Sequence, residues 1–189
     1  MQENLEIERR FFIDEQAPKR WHKCLSKSKI MQFYIDFSQI HLADEMIYYG
    51  SIELAHADEK SRLISTFENW TARIRYKDET TILTLKGKRR KSTAMELEWL
   101  IDRAKGEEIY VLDDFPFVEK TRYEWQGEDE ILWEIDEFEG ELAGLVIAEV
   151  ELPSEDYTVQ IPSWIGREIT GEGSWSNASL ARTLKHQRN

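Results

Sequence analysis

Along this chain, ionisable residues recur two positions apart: Glu6/Glu8/Arg10, Arg73/Arg75/Lys77, Lys86/Lys88, Glu96/Glu98, Lys120/Arg122, Glu134/Asp136 and Glu149/Glu151. Residues two apart on a β-strand share a face, so each set is the charged face of one strand. The signs are segregated, with whole strands basic and others acidic, whereas a face that only meets water usually intersperses them. Clustered carboxylates are hard oxygen donors that suit Mg²⁺ or Mn²⁺ better than zinc. Clustered Arg and Lys suit a polyanion, which guanidinium groups grip through paired hydrogen bonds. A divalent ion bound to a phosphate chain satisfies both halves.

The elements that must position these residues read mostly as strands, because apolar and polar residues alternate. Strands are expected over 5–11, 29–37, 69–77, 80–88, 93–102, 117–125, 130–138 and 145–152. Residues 69–88 form a hairpin turning at Asp78-Glu79. Residues 15–25, with Trp21, Cys24 and Leu25 among Lys and Arg, read as a short surface helix. Residues 103–113 and 177–187 also read as helices. Within 40–66, IYYGSIELA suggests a strand and HADEKSRLI a turn or short helix. No Gly-rich strand-to-helix turn of Rossmann or P-loop type occurs. Short links favour meanders and hairpins, and a closed barrel would remove the exposed edges of so many strands. The expected fold is therefore α+β, mainly β: a single domain over 1–189 built on an eight-stranded antiparallel β-barrel with flanking helices.

Two placements of the charged faces are open. In an ordinary half-solvated sheet they point to water and the apolar faces pack inward. In the alternative, the terminal segments and helices cover the apolar faces from outside and the charges line the barrel's lumen. Buried charge is costly, so such a lumen must be built of compensating charges. Glu96 and Glu98 suit structural pairing with lumen Arg and Lys, and Lys77 and Lys88 are near strand ends where solvation suffices. Lys88–Lys91 reads as a solvated turn.

Composition narrows the function classes. The 189 residues carry 25 Lys+Arg against 37 Asp+Glu, a formal charge of −12, which disfavours a broad nucleic-acid surface. Cys24 is the single cysteine, so an intramolecular disulfide and a Cys-rich zinc site are excluded. His22, His41, His56 and His186 are scattered without ligand spacing. The charged start of the chain and the lack of a long apolar run lead us to expect a soluble, cytoplasmic protein without membrane partners. Trp164, Trp175 and Tyr157 are expected either to cover the barrel or to form a homodimer contact.

Several motifs, in order, resemble one family. Glu6-Ile7-Glu8-Arg9-Arg10-Phe11 resembles the ExExK opening of the CYTH proteins, or triphosphate tunnel metalloenzymes. Arg73-Ile74-Arg75, Thr84-Leu85-Lys86, Glu96-Leu97-Glu98, Val118–Tyr123, Glu134–Phe138 and Glu149–Leu152 follow, with Ile169-Thr170-Gly171 and Ser176–Ala181 at the end. The segment VEKTRY and the tail look most like the short bacterial inorganic triphosphatases.

The resemblance implies a barrel tunnel in which Mg²⁺ or Mn²⁺ and a small triphosphate-containing substrate meet. It implies metal ligation by Glu6, Glu8, Glu149 and Glu151, with Asp136 holding a second ion or its water. It implies phosphate grip by Arg73, Arg75, Lys86, Lys88 and Arg122, and catalytic roles for Lys120, Arg10 and Tyr34. Arg10 stands where the family has lysine; it keeps the charge but cannot release its proton. Residues 41–68 exceed the family's usual link, and Gly171–Ser174 lacks a basic residue often found there. The activity implied first is hydrolysis of tripolyphosphate to pyrophosphate and phosphate. The alternatives are a class IV-type adenylate cyclase and a non-catalytic binder of polyphosphate or a phosphorylated ligand.

Overall fold

A computed structural model describes residues 5–14, 18–66, 69–88 and 92–188. Eight of its strands close into one antiparallel barrel: β1 (Leu5–Phe12), β2 (Ser26–Ile35), β6 (Thr71–Lys77), β7 (Thr80–Lys86), β8 (Thr93–Leu100), β9 (Phe117–Gln126), β10 (Leu132–Phe138) and β11 (Val146–Glu151). Three more, β3 (Ile40–Ala43), β4 (Met46–Tyr49) and β5 (Ile52–His56), form a separate small sheet. Two α-helices complete the set, α1 (Arg103–Tyr110) and α2 (Asn177–Arg188).

Around the barrel the order is β1-β11-β10-β9-β2-β6-β7-β8. The expected hairpins occur in β6-β7-β8 and β9-β10-β11, but the barrel is not a simple meander. β1 closes it between β8 and β11, and β2 lies between β9 and β6. This order sorts the lumen charges. β8, β1, β11 and β10 form an acidic arc, with Arg10 of β1 set into it; β9, β6 and β7 carry the other lumen cations, and β2 between β9 and β6 presents the uncharged Gln32 and Tyr34.

Directly paired residues share a face, so the register divides inside from outside. Arg10 pairs with Glu149, Asp136 with Arg122, Tyr34 with Arg73 and Lys86 with Glu96, all on the lumen side. The intervening positions form the apolar outer wall. The structure thus selects the inward placement of the charged faces, because the outer wall is covered. Against β2, β6, β7 and β8, the buried Phe33, Ile74, Leu83, Leu85 and Leu97 pack with Ile47 and Ile52 of the small sheet and Ile109 of α1. Each such side chain contributes roughly 1.5–3 kcal/mol by leaving water. Against β1, β10 and β11, Phe11, Trp133 and Val150 pack with Trp21 and Val159. On the lumen side, a third cluster joins Tyr34, Val118, Phe138 and Ile147 to Leu180 and Ala181 of α2.

Two local expectations are corrected. Residues 15–25 do not make a surface helix: a single 3₁₀ turn spans Arg20–His22, and 15–17 lie outside the described residues. Trp21 is buried and its Nε1 donates to Glu137 at 2.9 Å, so the segment is laid flat on the barrel wall. The strand expected across IYYGSIELA is two strands, β4 and β5, broken at Gly50, whose φ of +57° lies in the left-handed region. The neighbouring two-residue turn Asp44-Glu45 has φ of 49° and 61°, the pattern of a tight hairpin loop.

Trp164 packs at 5.4 Å from Trp21, and Trp175 meets Phe12 edge-on at 4.6 Å, while Tyr157 packs on the Trp133 cluster. All three cover the barrel. Of the KRRK turn, Lys88 is exposed and 89–91 lie outside the described residues. Among the described residues no helix is long and apolar enough to cross a membrane.

Candidate active site in the barrel lumen

The lumen contains a cavity of ≈ 610 Å³. Its walls include Glu6, Glu8, Arg10, Tyr34, Arg73, Arg75, Lys86, Lys88, Arg122, Glu134, Glu149 and Glu151. Of the residues expected to do chemistry, only Lys120 and Asp136 are absent from this lining. Lys120 is 2% exposed and Asp136 0%, and they bond to one another in the barrel wall.

On the basic arc, β6 presents Arg73 and Arg75 on one face. Arg73 Nη2 donates to Glu96 at 3.3 Å and Arg75 Nη2 to Glu98 at 3.0 Å, reaching across β7 to β8. Thr84 of β7 donates its hydroxyl to the same Glu98 oxygen at 2.8 Å. Each guanidinium is therefore held at one end. The Nε atoms of Arg73 and Arg75 are buried without a partner. Burial and the neighbouring Arg73 charge hold Arg75 below its ordinary pKa. Burial opposes the Arg73 charge too, but Glu96, Glu98 and Glu6 act together with Tyr34 to outweigh it and raise the pKa.

Lys86, at the end of β7, lies among three carboxylates. It contacts Glu6, lies 3.1 Å from Glu96 and 3.7 Å from Glu8. Burial opposes its charge, yet Glu8, Glu96 and Glu6 raise its pKa above the ordinary lysine value. Glu96 is carried the other way, to about 2: burial pushes it up, and Arg73 and Lys86 together outweigh that. Glu6 is pushed up to about 9, first by burial and next by Glu8.

Arg10 is tied on three sides. Its Nε donates to Glu149 at 2.8 Å, its Nη2 to the Trp175 carbonyl at 2.9 Å, and its backbone N–H to Thr170 Oγ1 at 3.0 Å. The guanidinium thus joins β1 to β11 and to the segment leading into α2. Burial works against the Glu149 charge, but Arg10 and Arg122 hold that carboxyl well below its usual range. Glu151 is raised, by burial and then by Glu134.

Four participants were given no role from the sequence. Gln32 is fully buried and its Nε2 donates to Tyr34 Oη at 2.6 Å. Thr84 supports Glu98, and Ser176 with Asn177 lines the cavity where α2 begins. The signal for Gln32 was the same two-residue spacing, since it precedes Tyr34 by two on β2.

Comparison with known proteins agrees with this architecture. No family model matches the chain. An inorganic triphosphatase of Acetivibrio thermocellus is 41% identical over 113 residues, 59% of this chain and 72% of the relative. The chain belongs to the CYTH family of triphosphate tunnel proteins. A second relative in the family, an inorganic triphosphatase of Nitrosomonas europaea, is 34% identical over 114 residues, covering 59% of this chain and 75% of its own. The crystal structure of the inorganic triphosphatase NE1496 superposes with a TM-score of 0.57 at 28% identity, over 93% of each chain. The small sheet β3–β5 spans Ile40–His56 and so takes up much of the 41–68 stretch.

Proposed function

We propose that this chain hydrolyses a small inorganic triphosphate, tripolyphosphate to pyrophosphate and phosphate, inside the barrel lumen. The observation that carries the reading is the convergence of Arg73, Arg75 and Lys86 on one cavity of ≈ 610 Å³, with both guanidinium groups held by carboxylates of β8. Each guanidinium is oriented by its own carboxylate, so the cationic face it gives the cavity is preorganised for an oxyanion. The names of both sequence relatives support the same activity, and no observation favours the cyclase alternative.

The reaction asks for charge neutralisation and in-line placement rather than covalent catalysis by the protein. Arg73, Arg75 and Lys86 bind the phosphate oxygens. Arg122, braced by Asp136, presents positive charge from β9. Arg10 lines the cavity between Glu149 and the segment before α2, and Lys120, off that lining, acts through Asp136, the carboxylate it shares with Arg122. The barrel walls limit the water around the chain of phosphates. Water attacks the terminal phosphorus; its oxygen forms the new P–O bond as the bridging P–O bond breaks and pyrophosphate departs.

A divalent cation fits the acidic arc on its donor chemistry. Among the described residues no three His, Cys, Asp or Glu are assembled as a metal site. The carboxylates instead lean on Lys86 and Arg10. Yet Glu6, pushed up to about 9 by burial and Glu8, marks a cluster short of positive charge. Glu6, Glu8, Glu149 and Glu151 would hold Mg²⁺ or Mn²⁺ through hard oxygen ligands. When bound, such an ion supplies positive charge against the phosphate oxygens. Asp136 is spoken for by Lys120 and Arg122 and acts through them.

Phosphorus NMR of the products tests the reading. One pyrophosphate and one phosphate per tripolyphosphate is the expected result. Intact tripolyphosphate after incubation with Mg²⁺ or Mn²⁺ would overturn it.

A further inference from the structure

We propose that Gln32 is a positioning residue that sets the Tyr34 hydroxyl as a hydrogen-bond donor to a phosphate oxygen of the bound substrate. The inference rests on the triphosphatase reading and adds a residue to it. Gln32 and Tyr34 lie two apart on β2, on the lumen face. Nε2 of Gln32 donates to Tyr34 Oη at 2.6 Å. A phenol oxygen can accept and can donate its one proton. With the amide N–H on its lone pair, the phenol keeps its O–H for the cavity that Tyr34 lines.

The surroundings favour that polarity. Tyr34 pairs directly with Arg73 across the β2–β6 ladder, which puts the phenol beside a guanidinium built to meet an anion. Burial raises the Tyr34 pKa despite Arg73 and Gln32, so the phenol keeps its proton. Gln32 pairs in turn with Arg75. Its Oε1 and the Arg75 Nε are both buried without partners, an acceptor and a donor on opposed residues. The amide therefore presents its N–H groups to the phenol and its carbonyl to the basic arc. A fully buried glutamine on a lumen wall otherwise costs desolvation for one hydrogen bond.

The test is a double-mutant cycle on tripolyphosphate hydrolysis with Gln32→Met, Tyr34→Phe and the pair, each checked by thermal melting. Gln32→Leu replaces Gln32→Met if the latter does not fold. Tyr34→Phe should raise KM about tenfold or more, the worth of one hydrogen bond to a charged oxygen. Gln32→Met should raise KM in the same direction, with kcat within about twofold, because the lost contact is a binding contact. The double variant should match Tyr34→Phe, since Gln32 acts through that hydroxyl. A Gln32→Met enzyme with wild-type KM, or effects that add in full, overturns the inference and leaves the triphosphatase reading intact. Wild-type protein that neither hydrolyses tripolyphosphate nor binds it by calorimetry overturns both.

Discussion

Arg122 on β9 and Asp136 on β10 face each other across the ladder and share two parallel hydrogen bonds, Nε to Oδ1 and Nη2 to Oδ2, each 2.7 Å long. Lys120 bonds the same carboxylate, and Arg122 reaches on to Glu134 and, at 2.9 Å, to Glu149. One buried carboxylate thus holds two buried cations and links the basic arc to the acidic arc. Burial opposes the Asp136 charge, but Arg122 and Lys120 outweigh it and lower its pKa.

Breaking this knot should cost stability. Asp136→Asn keeps the shape and removes the charge, leaving Lys120 and Arg122 buried with too little compensation. Loss of one partner from a buried ion pair typically costs about 3–5 kcal/mol. Urea denaturation should show a midpoint lowered accordingly. A change under about 1 kcal/mol would show that Glu134 and Glu149 suffice to hold the cations.

Arg73 should resist replacement by lysine. Its Nη2 is held by Glu96 while the guanidinium lines the cavity. A lysine ammonium is one point charge and cannot be held at one end and donate from the other. Arg73→Lys should lower kcat/KM for tripolyphosphate by about tenfold or more, the scale of a charge-assisted hydrogen bond. Steady-state kinetics alongside a melting curve separates this from unfolding; unchanged kcat/KM would show that charge alone is what Arg73 supplies.

The stability of the metal-free protein should depend on Lys120. Burial, the largest influence, lowers its pKa from 10.5 to about 8, against the pull of Asp136. Between about 8 and 10.5 the unfolded chain holds a proton that the folded chain has released, so stability on this account rises with pH. The contribution is complete above 10.5 and is lost as pH falls through about 8. Denaturant midpoints in EDTA across that window should climb more steeply for wild type than for Lys120→Met. Parallel curves would show that Lys120 does not titrate there.

Much of this was legible in the sequence because period-two alternation carries two messages at once. The charged sets two residues apart marked one face of each strand and left open which way it turned; the structure turns it into the lumen and puts Ile74, Leu83, Leu85, Leu97 and Trp133 on the outer wall. Strand order was less legible. Short links suggest neighbours, but nothing local says that β1 pairs with β8 and β11, contacts such as Leu5 with Met95 and Glu8 with Glu151 that are far apart in sequence. Trp21 was misplaced on a surface helix because its partner, Glu137, is distant in sequence. The commitment of Asp136 to Lys120 and Arg122 was hidden for a similar reason. Spacing puts the three on one face, but only the register β9–β10 sets Asp136 directly opposite Arg122. Gln32 went unremarked because a lone uncharged amide breaks no pattern.

The central claim is that the lumen's arginines, lysines and carboxylates serve metal-dependent cleavage of an inorganic triphosphate. The most direct measurement is the initial rate of phosphate release from tripolyphosphate and from ATP, in Mg²⁺, in Mn²⁺ and in EDTA. The account predicts rapid release from tripolyphosphate with either metal, much slower release from ATP, and none in EDTA. Release that persists in EDTA, or no release from tripolyphosphate under any of these conditions, would contradict it.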